Sequence, residues 1–476
     1  MQHAHLRNTL DSYADSFMSK HGIPGMALAV AEHGRMIHAQ GYGYRNVEEQ
    51  LPAALDTVFG IASLTKSFTC AAAMKLQEQG KLSVDDPVIR YLPEFATPDR
   101  AHTEQIRVHH FMTHSTGIPP LPTLFYAMKR SMDADPSTED YPDAAAAPLL
   151  HQGPIDSYEQ LMAFMAARDY ELLGPPGTQF SYCNDCFGLL GAIVERVGGM
   201  RFADYVEREI LQPAGMEATS FELDKLPARQ LTMPYAARKE EDGHKTVYPA
   251  PGWWEAPALL GTGFLRATAG DMMKYMEMYR NNGKAGNSRV LQESSVRQML
   301  SPHIQTAPGK YYGYGFHLTK GDHGTTLVEH GGGLKAVSSR MCFIPEKGIT
   351  GVVLSNLAEV PIAAVLYRAL NLVQGLAPDA RMIRTADYGI KAGDLDGYTG
   401  RYSSYEGRTI VFAAMDGKLV LVGRGQNAVL QPVTERDLFL LATDDEETLF
   451  RFIRNAQDEV IRLWMSNSSR QLTKVE

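Results

Sequence analysis

The order of strand-like and helix-like segments constrains the fold of this chain more than any other feature. Alternating apolar runs that favour strands stand at 25–43 and again within 311–355, and the residues between them have helical spacing. A sheet whose strands come from both ends of one region, flanked by helices, satisfies this order. The pattern of residue types changes at 375–395, and the short alternating runs after that segment predict a small all-β barrel or sandwich. The sequence therefore predicts a mixed α/β (α+β) fold followed by a C-terminal β domain.

Local patterns predict the individual elements within this order. Apolar residues at helical spacing predict an amphipathic helix near the N-terminus, and a turn at His33-Gly34 divides the first two strands. Further helices are predicted over 64–79, 187–199 and 268–281. Later strands are predicted over 311–318, 325–329, 336–344 and 350–355. Residues 119–156, rich in proline, alanine and acidic side chains, predict a long irregular excursion.

The length of the chain and the change in residue pattern together predict the domain boundaries. At 476 residues, the chain is longer than one typical hydrophobic core requires. We expect a first domain over 1–374, a linker over 375–395 and a C-terminal barrel over 396–476. Asp416-Gly417 is a strong hairpin turn signal inside this last segment.

Composition excludes several classes of partner. The formal net charge is −9, and no block of lysine and arginine is present, which argues against nucleic acid. No apolar run reaches the roughly 18–20 residues of a membrane helix. The N-terminal residues lack the basic and apolar regions of a secretory signal, so we expect a cytoplasmic protein unless a signal was removed. Four cysteines in so long a chain do not indicate a disulfide framework.

A serine and a lysine at the start of the predicted 64–79 helix form the first candidate site. Lys66 stands three residues after Ser63 and shares its helix face. The positive end of the helix dipole favours a negative charge that develops on Ser63. Burial and the same dipole lower the pKa of a lysine, so Lys66 could take the proton of Ser63 and make it a nucleophile. The alternative is a serine N-cap followed by a solvated lysine.

Two further short motifs offer polar groups for the same chemistry. Tyr182 can relay a proton, and Asn184 can hold both a lysine and a substrate amide. His330 precedes three glycines, which let a substrate backbone approach closely. A backbone N–H there could form half of an oxyanion hole, with the N–H of Ser63 as the other half. The alternatives are a packed tyrosine with a capping asparagine, and a flexible turn with an incidental histidine.

The His-Gly-Gly-Gly run also occurs in the oxyanion loop of lipase-type α/β-hydrolases. Those enzymes need a Gly-x-Ser-x-Gly elbow, and the sequence contains none. Their oxyanion loop also precedes the nucleophile, whereas His330 comes after Ser63. The sequence therefore argues against a lipase-type enzyme.

The motifs Ser63-x-x-Lys66, Tyr182-x-Asn184 and His330-x-Gly332, taken in this order, resemble those of the serine β-lactamase and penicillin-binding-protein superfamily. The resemblance is greatest to its class C-like branch, which includes D-aminopeptidases, D-Ala-D-Ala carboxypeptidases and esterases. It extends from about residue 8 to about residue 372, with similar segments at 110–118, 175–184, 263–275 and 330–356. It implies a β-lactamase/transpeptidase-like fold, in which helices and a helical subdomain flank an antiparallel sheet. The C-terminal segment resembles the lipocalin-like accessory barrels of some relatives, which cover the cleft or build oligomers.

The resemblance also implies roles for the motif residues. Ser63 would attack a carbonyl and form an acyl-enzyme, while Lys66 and Tyr182 would move protons. Asn184, His330, Gly332 and Gly333 would bind the substrate, and the N–H groups of Ser63 and Gly333 would stabilise the oxyanion. The antibiotic-hydrolysing members carry Lys-Thr-Gly where this chain has His330-Gly331-Gly332. A histidine there would be only partly charged at neutral pH, which argues against a carboxylate-ended substrate and efficient β-lactam hydrolysis.

These observations predict a serine hydrolase, chiefly a peptidase on small amide or D-amino-acid-containing peptide substrates. A carboxylesterase or weak β-lactamase on the same site is one alternative, and a non-catalytic assembly protein that retains the fold is another. The intact motifs argue against the assembly protein. We expect no cofactor and no metal, and a homo-oligomer stays open.

Other residues with chemical potential have structural explanations. Cys183 and Cys186 form Cys-x-x-Cys, but no second pair accompanies them, so buried packing is favoured over zinc. His110 and His114 have zinc-ligand spacing without the glutamate of His-Glu-x-x-His. Cys70 should lie in the core beneath the site. Aromatic residues that could line a cleft are Trp253, Trp254 and those within 311–314.

Overall fold

The two ends of the first region meet in the middle of one sheet. The computed structural model describes residues 2–141, 152–240, 244–321, 324–381, 385–423 and 427–475. Its helices are α1 Gln2–His21, α2 Thr65–Glu78, α3 Arg100–Gln105, α4 Val108–Met112, α5 Thr123–Asp133, α6 Tyr158–Ala166, α7 Asn184–Gly198, α8 Phe202–Val206, α9 Leu260–Gly263, α10 Ala269–Arg280, α11 Glu293–Met299 and α12 Ala363–Val373.

Strands occur before and after this helical middle, as the sequence predicts. The first group is β1 Gly25–Glu32, β2 Arg35–Asn46, β3 Leu51–Pro52, β4 Val58–Gly60, β5 Tyr235–Lys239, β6 Lys245–Pro249, β7 Arg266–Thr268, β8 Lys284–Ala285 and β9 Ser288–Arg289. The second group is β10 Ile304–Ala307, β11 Lys310–Tyr312, β12 His317–Lys320, β13 Thr326–Leu334, β14 Val337–Ile344 and β15 Ile349–Ser355. The C-terminal group is β16 Gly400–Ser403, β17 Thr409–Met415, β18 Lys418–Leu421, β19 Ala428–Pro432, β20 Leu438–Ala442, β21 Glu447–Arg454, β22 Val460–Met465 and β23 Gln471–Lys474.

The large sheet has nine strands in the order β10-β11-β12-β13-β14-β15-β1-β2-β3 among the described residues. β1 pairs antiparallel with β15, with Leu28 opposite Val353. Both strands are buried almost throughout because helices cover both faces of the sheet. Alternate β1 residues join two cores: Ala29 packs with α2 and α10, whereas Leu28 packs with α1 and α12. The mixed fold, with helices flanking an antiparallel sheet, is confirmed.

The C-terminal strands form a closed antiparallel barrel, β16 to β23 in sequence order. Pairing of β16 with β23 closes it, with Tyr402 opposite Lys474. Phenylalanine, tyrosine and leucine side chains that face inward fill its core. The predicted lipocalin-like barrel is thus confirmed. The boundaries 1–374, 375–395 and 396–476 stay predictions.

The barrel packs directly on the first region through an apolar cluster. Phe180 and Tyr312 contact the barrel residues Leu438, Leu449 and Trp464 in one buried group. Because Phe180 stands two residues before Tyr182, this contact brings the barrel close to the predicted site.

Two local predictions need correction. The predicted strand over 311–318 is two strands, β11 and β12, because the chain between them turns to pack on α2. Gly315 makes this turn with φ 75°, and a Cβ there would lie 2.8 Å from the Cα of Ser67. The 119–156 excursion is not irregular throughout, because α5 and a 3₁₀ turn at Pro136–Asp140 occupy much of it. Residues 142–151 of the excursion lie outside the described residues.

The glycines after His330 belong to strand β13, which extends to Leu334. The structure thus places them on the sheet and not in a flexible turn. Among the described residues, none of the helices has the length and apolar character that crossing a bilayer requires.

Candidate active site

Ser63 lies in a short 3₁₀ turn, Ala62–Leu64, between β4 and α2. It is not a helix N-cap, since Leu64 occupies that position and makes no side-chain capping bond. The preceding residue, Ala62, has φ 44°, a left-handed backbone conformation that residues other than glycine rarely adopt. Strained backbone of this kind is retained where the surrounding structure holds it, often at functional sites.

Lys66 is fully buried, with 0% exposure, and its ammonium group reaches back to Ser63. Its Nζ lies 3.2 Å from Ser63 Oγ and donates to the carbonyl oxygen of Thr262 at 2.7 Å. Among the described residues, no carboxylate forms an ion pair with it. Burial lowers the pKa of Lys66 well below 10.5, and the positive charge of Arg470 adds to the effect. The lysine is therefore not solvated, and in its neutral form it can take a proton from Ser63.

Tyr182 lies beside the same lysine. Lys66 Nζ is 4.6 Å from the centroid of its ring. The Tyr182 hydroxyl is buried without a hydrogen-bond partner among the described residues. Burial raises the pKa of Tyr182, while the Ser63 hydroxyl and Arg470 act in the opposite direction. The phenol therefore keeps its proton at neutral pH and can donate it.

His114 positions the Tyr182 ring and is not placed as a metal ligand. Its ring centroid lies 4.1 Å from that of Tyr182, and its Nδ1 accepts from the backbone N–H of Cys183 at 3.0 Å. His110 Nδ1 accepts from the N–H of Arg107 at 3.0 Å. Within the described ranges, no group of three or more His, Cys, Asp or Glu side chains is arranged to hold a metal ion.

Asn184 begins α7 and lines the cavity beside Ser63. It does not cap the helix, because the Sγ of Cys183 accepts from the N–H of Cys186 at 3.4 Å. The two cysteine sulfurs lie 2.9 Å apart and are buried, as is Cys70. Burial raises the pKa of the Cys183 thiol, which is typical of an unreactive structural cysteine.

His330 is 2% exposed, and the expectation that it is partly charged is wrong. Burial lowers its pKa well below 6.5, and His317 and Lys66 act in the same direction. Its Nε2 lies 3.2 Å from the hydroxyl of Tyr312, and its Nδ1 lies 2.7 Å from the carbonyl oxygen of Gly331. At neutral pH, His330 is a neutral polar group in the cavity wall.

Gly332 brings β13 against the turn that carries Ser63. Ser339, opposite Gly332 on β14, donates its hydroxyl to the carbonyl oxygen of Ile61 at 2.9 Å. A Cβ on Gly332 would lie 2.4 Å from that same oxygen. Only glycine therefore allows this close approach of strand and turn.

Gly333 presents a free backbone edge to the cavity. Leu334 pairs with Val337 across a two-residue turn, and hydrogen-bonded pairs alternate along an antiparallel ladder. Gly333 thus falls in a non-bonded pair, and its N–H points away from β14. On that side, β12 stops pairing with β13 at Glu329, so no strand among the described residues covers Gly333. This N–H is available for an oxyanion.

A cavity of about 940 Å³ connects these groups. Of the aromatic residues expected in a cleft, Trp254 and Tyr311 line it. Trp253 instead packs against Arg266, whose guanidinium carbon is 5.0 Å from its ring centroid. The predicted site residues that line the cavity are Ser63, Tyr182, Asn184, His330, Gly332 and Gly333.

The barrel contributes a residue to this cavity that the sequence analysis missed. Arg470 stands in the turn between β22 and β23, with its guanidinium carbon 5.3 Å from the Tyr182 ring centroid. The turn is held by the backbone, because Ser469 O accepts from the N–H of Tyr182 at 2.9 Å. An ion pair with Glu406 at 2.6 Å holds the arginine side chain. No local motif marks Arg470, since only the closed barrel places it beside Tyr182.

The glycine contacts predict a contrast in stability. Gly332→Ala should lower the free energy of unfolding by about 1–3 kcal/mol, because its Cβ meets a backbone oxygen that cannot move freely. Gly333→Ala should change it by less than about 0.5 kcal/mol, since a Cβ there meets nothing within 4 Å. Urea denaturation measures both, and equal losses would contradict the packing of β13 on the Ser63 turn.

The electrostatics predict a pH profile. The kcat/KM of an acyl-transfer substrate should rise with pH through the pKa of Lys66 and level off well below pH 10.5, because only the neutral amine accepts a proton. Arg470→Met removes a positive charge that lowers this pKa, so the midpoint should move to higher pH. The control is Arg462→Met, which removes a barrel arginine that donates to Leu173 O. A midpoint that falls in Arg470→Met would contradict the assignment.

Comparisons with known proteins find relatives that match most of this chain. The octameric penicillin-binding protein homologue from Pyrococcus abyssi matches 98% of this chain and 99% of its own, with 27% identity and a TM-score of 0.66. Penicillin-binding protein 4* of Bacillus subtilis (strain 168) is 26% identical over 92% of this chain and 93% of its own length. The crystal structure of SurE matches all of both chains with a TM-score of 0.71, and at 20% identity it shows the fold alone.

Other relatives are matched only in part. Protein flp of Staphylococcus aureus (strain NCTC 8325 / PS 47) is 26% identical over 73% of this chain, and the match spans 62% of its own length. The model of the β-lactamase family matches residues 10–374, which contain Ser63, Lys66, Tyr182 and His330. Together with the penicillin-binding-protein relatives, this match is consistent with a serine hydrolase. The chain therefore belongs to the β-lactamase family.

Proposed function

We propose that this protein is a serine hydrolase that forms an acyl-enzyme on Ser63 and acts as a peptidase on small amides, including peptides that contain D-amino acids. The observation that carries the proposal is the 3.2 Å contact of Ser63 Oγ with a fully buried Lys66 that has no carboxylate counter-ion among the described residues. A lysine in this setting is a base at neutral pH.

The first half of the reaction follows from the atoms around Ser63. Its Oγ attacks the carbonyl carbon while its proton passes to Lys66 Nζ. The oxygen of the carbonyl becomes an oxyanion, which the N–H groups of Ser63 and Gly333 stabilise. Tyr182 gives its proton to the leaving nitrogen and recovers one from Lys66, and the C–N bond breaks. Asn184 holds the substrate amide beside this group.

The second half repeats these proton movements with water. The neutral Lys66 takes a proton from water as the oxygen attacks the acyl carbon, and the Ser63 oxygen leaves with a proton. An acceptor other than water could enter the same position, since the cavity is large.

The cation of Arg470 supports a substrate that carries a carboxylate. The neutral His330 cannot supply the positive charge that a lysine provides in the third motif of the antibiotic-hydrolysing members. Arg470 lines the same cavity from the barrel side and stays charged. The charge that attracts a carboxylate therefore comes from the barrel in our proposal.

Acylation of Ser63 is the direct test. Intact mass after brief mixing with a β-lactam or an active ester should increase by the acyl group in the wild type and not in Ser63→Ala, which should also lose turnover. The matched control is Ser67→Ala, because Ser67 is buried one turn along α2 and its hydroxyl donates to Leu64 O. Equal acylation of Ser63→Ala, or full activity in it, would refute the proposal.

Substrate class is decided by a second pair of assays. The peptidase should release the amine from a D-aminoacyl anilide, because Tyr182 is placed to protonate a poor leaving group. A protein that turns over activated esters alone would be the carboxylesterase instead.

We also propose that copies of this chain associate. The homologue from Pyrococcus abyssi is octameric, and its match extends over the barrel as well as the first region. This supports a homo-oligomer.

A further inference from the structure

The turn after Gly333 is anchored by a buried ion pair. Lys335 is 4% exposed, and its Nζ donates to the carboxylate of Asp135 and, at 2.5 Å, to the carbonyl oxygen of Gly252. Lys335 occupies the two-residue turn between β13 and β14, two positions after Gly333. The buried, charged side chain of Lys335 therefore connects the end of β13, the strand that carries Gly333, to the segments that contain Asp135 and Gly252.

Asp135 is the centre of the anchor. Its Oδ2 accepts from Trp254 Nε1 at 2.9 Å, and its Oδ1 accepts from Ser137 N–H at 3.0 Å and from Ser137 Oγ at 2.8 Å. The carboxylate is 9% exposed, and its bonds to Lys335 and Ser137 satisfy both oxygens. Three segments that are distant in sequence meet at one carboxylate.

A second bond holds the other turn residue. The N–H of Ala336 donates to the hydroxyl of Tyr141 at 3.3 Å, and the Tyr141 ring lies 5.1 Å from that of Trp254. Tyr141, Trp254 and Lys335 all line the cavity. The anchor thus forms part of the cavity wall beside Gly333.

The strand itself needs such an anchor. Residues 331–333 are glycines, which have the greatest backbone freedom, and β12 gives them no neighbour on one side. Gly332 is fixed on the Ser63 turn through Ser339, and beyond it β13 is held on one side, by its pairing with β14. The ion pair supplies the fixed point on the far side of Gly333.

A buried ion pair is a poor device for stability alone, because desolvation of the two charges offsets most of their attraction. We propose that Asp135 is a positioning residue, which acts through Lys335 to hold the N–H of Gly333 where the oxyanion forms. The proposal rests on the proposed function, because it assumes acyl transfer at Ser63.

Asp135→Asn tests it with little change in shape. The amide keeps one acceptor oxygen, for Trp254 or for Ser137, and removes the charge that holds Lys335. The acylation rate with an active ester should fall about 10- to 100-fold while KM changes less than about twofold, since the oxyanion exists only after attack. The affinity for phenylboronic acid, which forms a tetrahedral adduct with the serine, should fall by the same factor.

Two further variants separate positioning from folding. Lys335→Met should reproduce the loss, and the double variant Asp135→Asn/Lys335→Met should lose no more than either single variant, because both act through one contact. The matched control is Asp271→Asn on α10, a buried carboxylate that accepts from Thr219 and from Lys274 and does not line the cavity. It should lower Tm and leave the boronate affinity unchanged.

The outcomes are distinct. Boronate affinity in folded Asp135→Asn equal to that of the wild type would overturn the positioning role and leave Ser63 as the nucleophile. Additive losses in the double variant would overturn it also. A wild type that binds boronate no better than Ser63→Ala would overturn the proposed function and the positioning role with it.

Discussion

The rest of the site depends on one lysine that is buried without a negative partner in the part of the chain that the structure describes. Removing an ammonium group from water is costly, and proteins ordinarily offset the cost with a carboxylate. Lys66 is surrounded instead by a carbonyl oxygen, a serine hydroxyl and the faces of Tyr182 and Phe187. Burial, with the positive charge of Arg470, favours the neutral amine over the charged one. The elements around it, from α9 to the barrel turn, meet at this side chain. The cost in stability accompanies a lysine whose pKa lies well below its ordinary value.

The sequence predicts the parts of the fold that local patterns encode. The first hairpin, α2 and the sheet formed from both chain ends follow from hydrophobic periodicity and turn residues such as His33-Gly34. It does not predict the break between β11 and β12, because Gly313 and Gly315 fit a strand pattern until the contact of Gly313 with the end of α11 and that of Gly315 with α2 are known. For the same reason, the sequence predicts a partly charged His330. Burial lowers the pKa of this histidine, and that burial depends on the tertiary structure.

The residues of the candidate site also form two groups, those that a sequence motif identifies and those that no motif identifies. Ser63, Lys66, Tyr182, Asn184 and the glycine strand carry short motifs, so they can be found from the sequence. Arg470 and Asp135 carry none. Arg470 reaches the cavity through barrel closure, and Asp135 contacts the cavity wall through Lys335, two hundred positions away. A residue whose role depends on a long-range contact has no local sequence pattern that would identify it.

The backbone bond from Tyr182 to Ser469 has a consequence for how activity arises during synthesis. A growing chain from which only residues 1–374 have emerged contains Ser63 and Lys66, yet its cavity has neither the barrel wall nor the guanidinium of Arg470. The residues that we propose for the reaction and the barrel that covers them are therefore made at different times. A newly made protein acquires its complete cavity only as the barrel closes, so the folding of an all-β domain completes a site whose first residues were encoded hundreds of codons earlier.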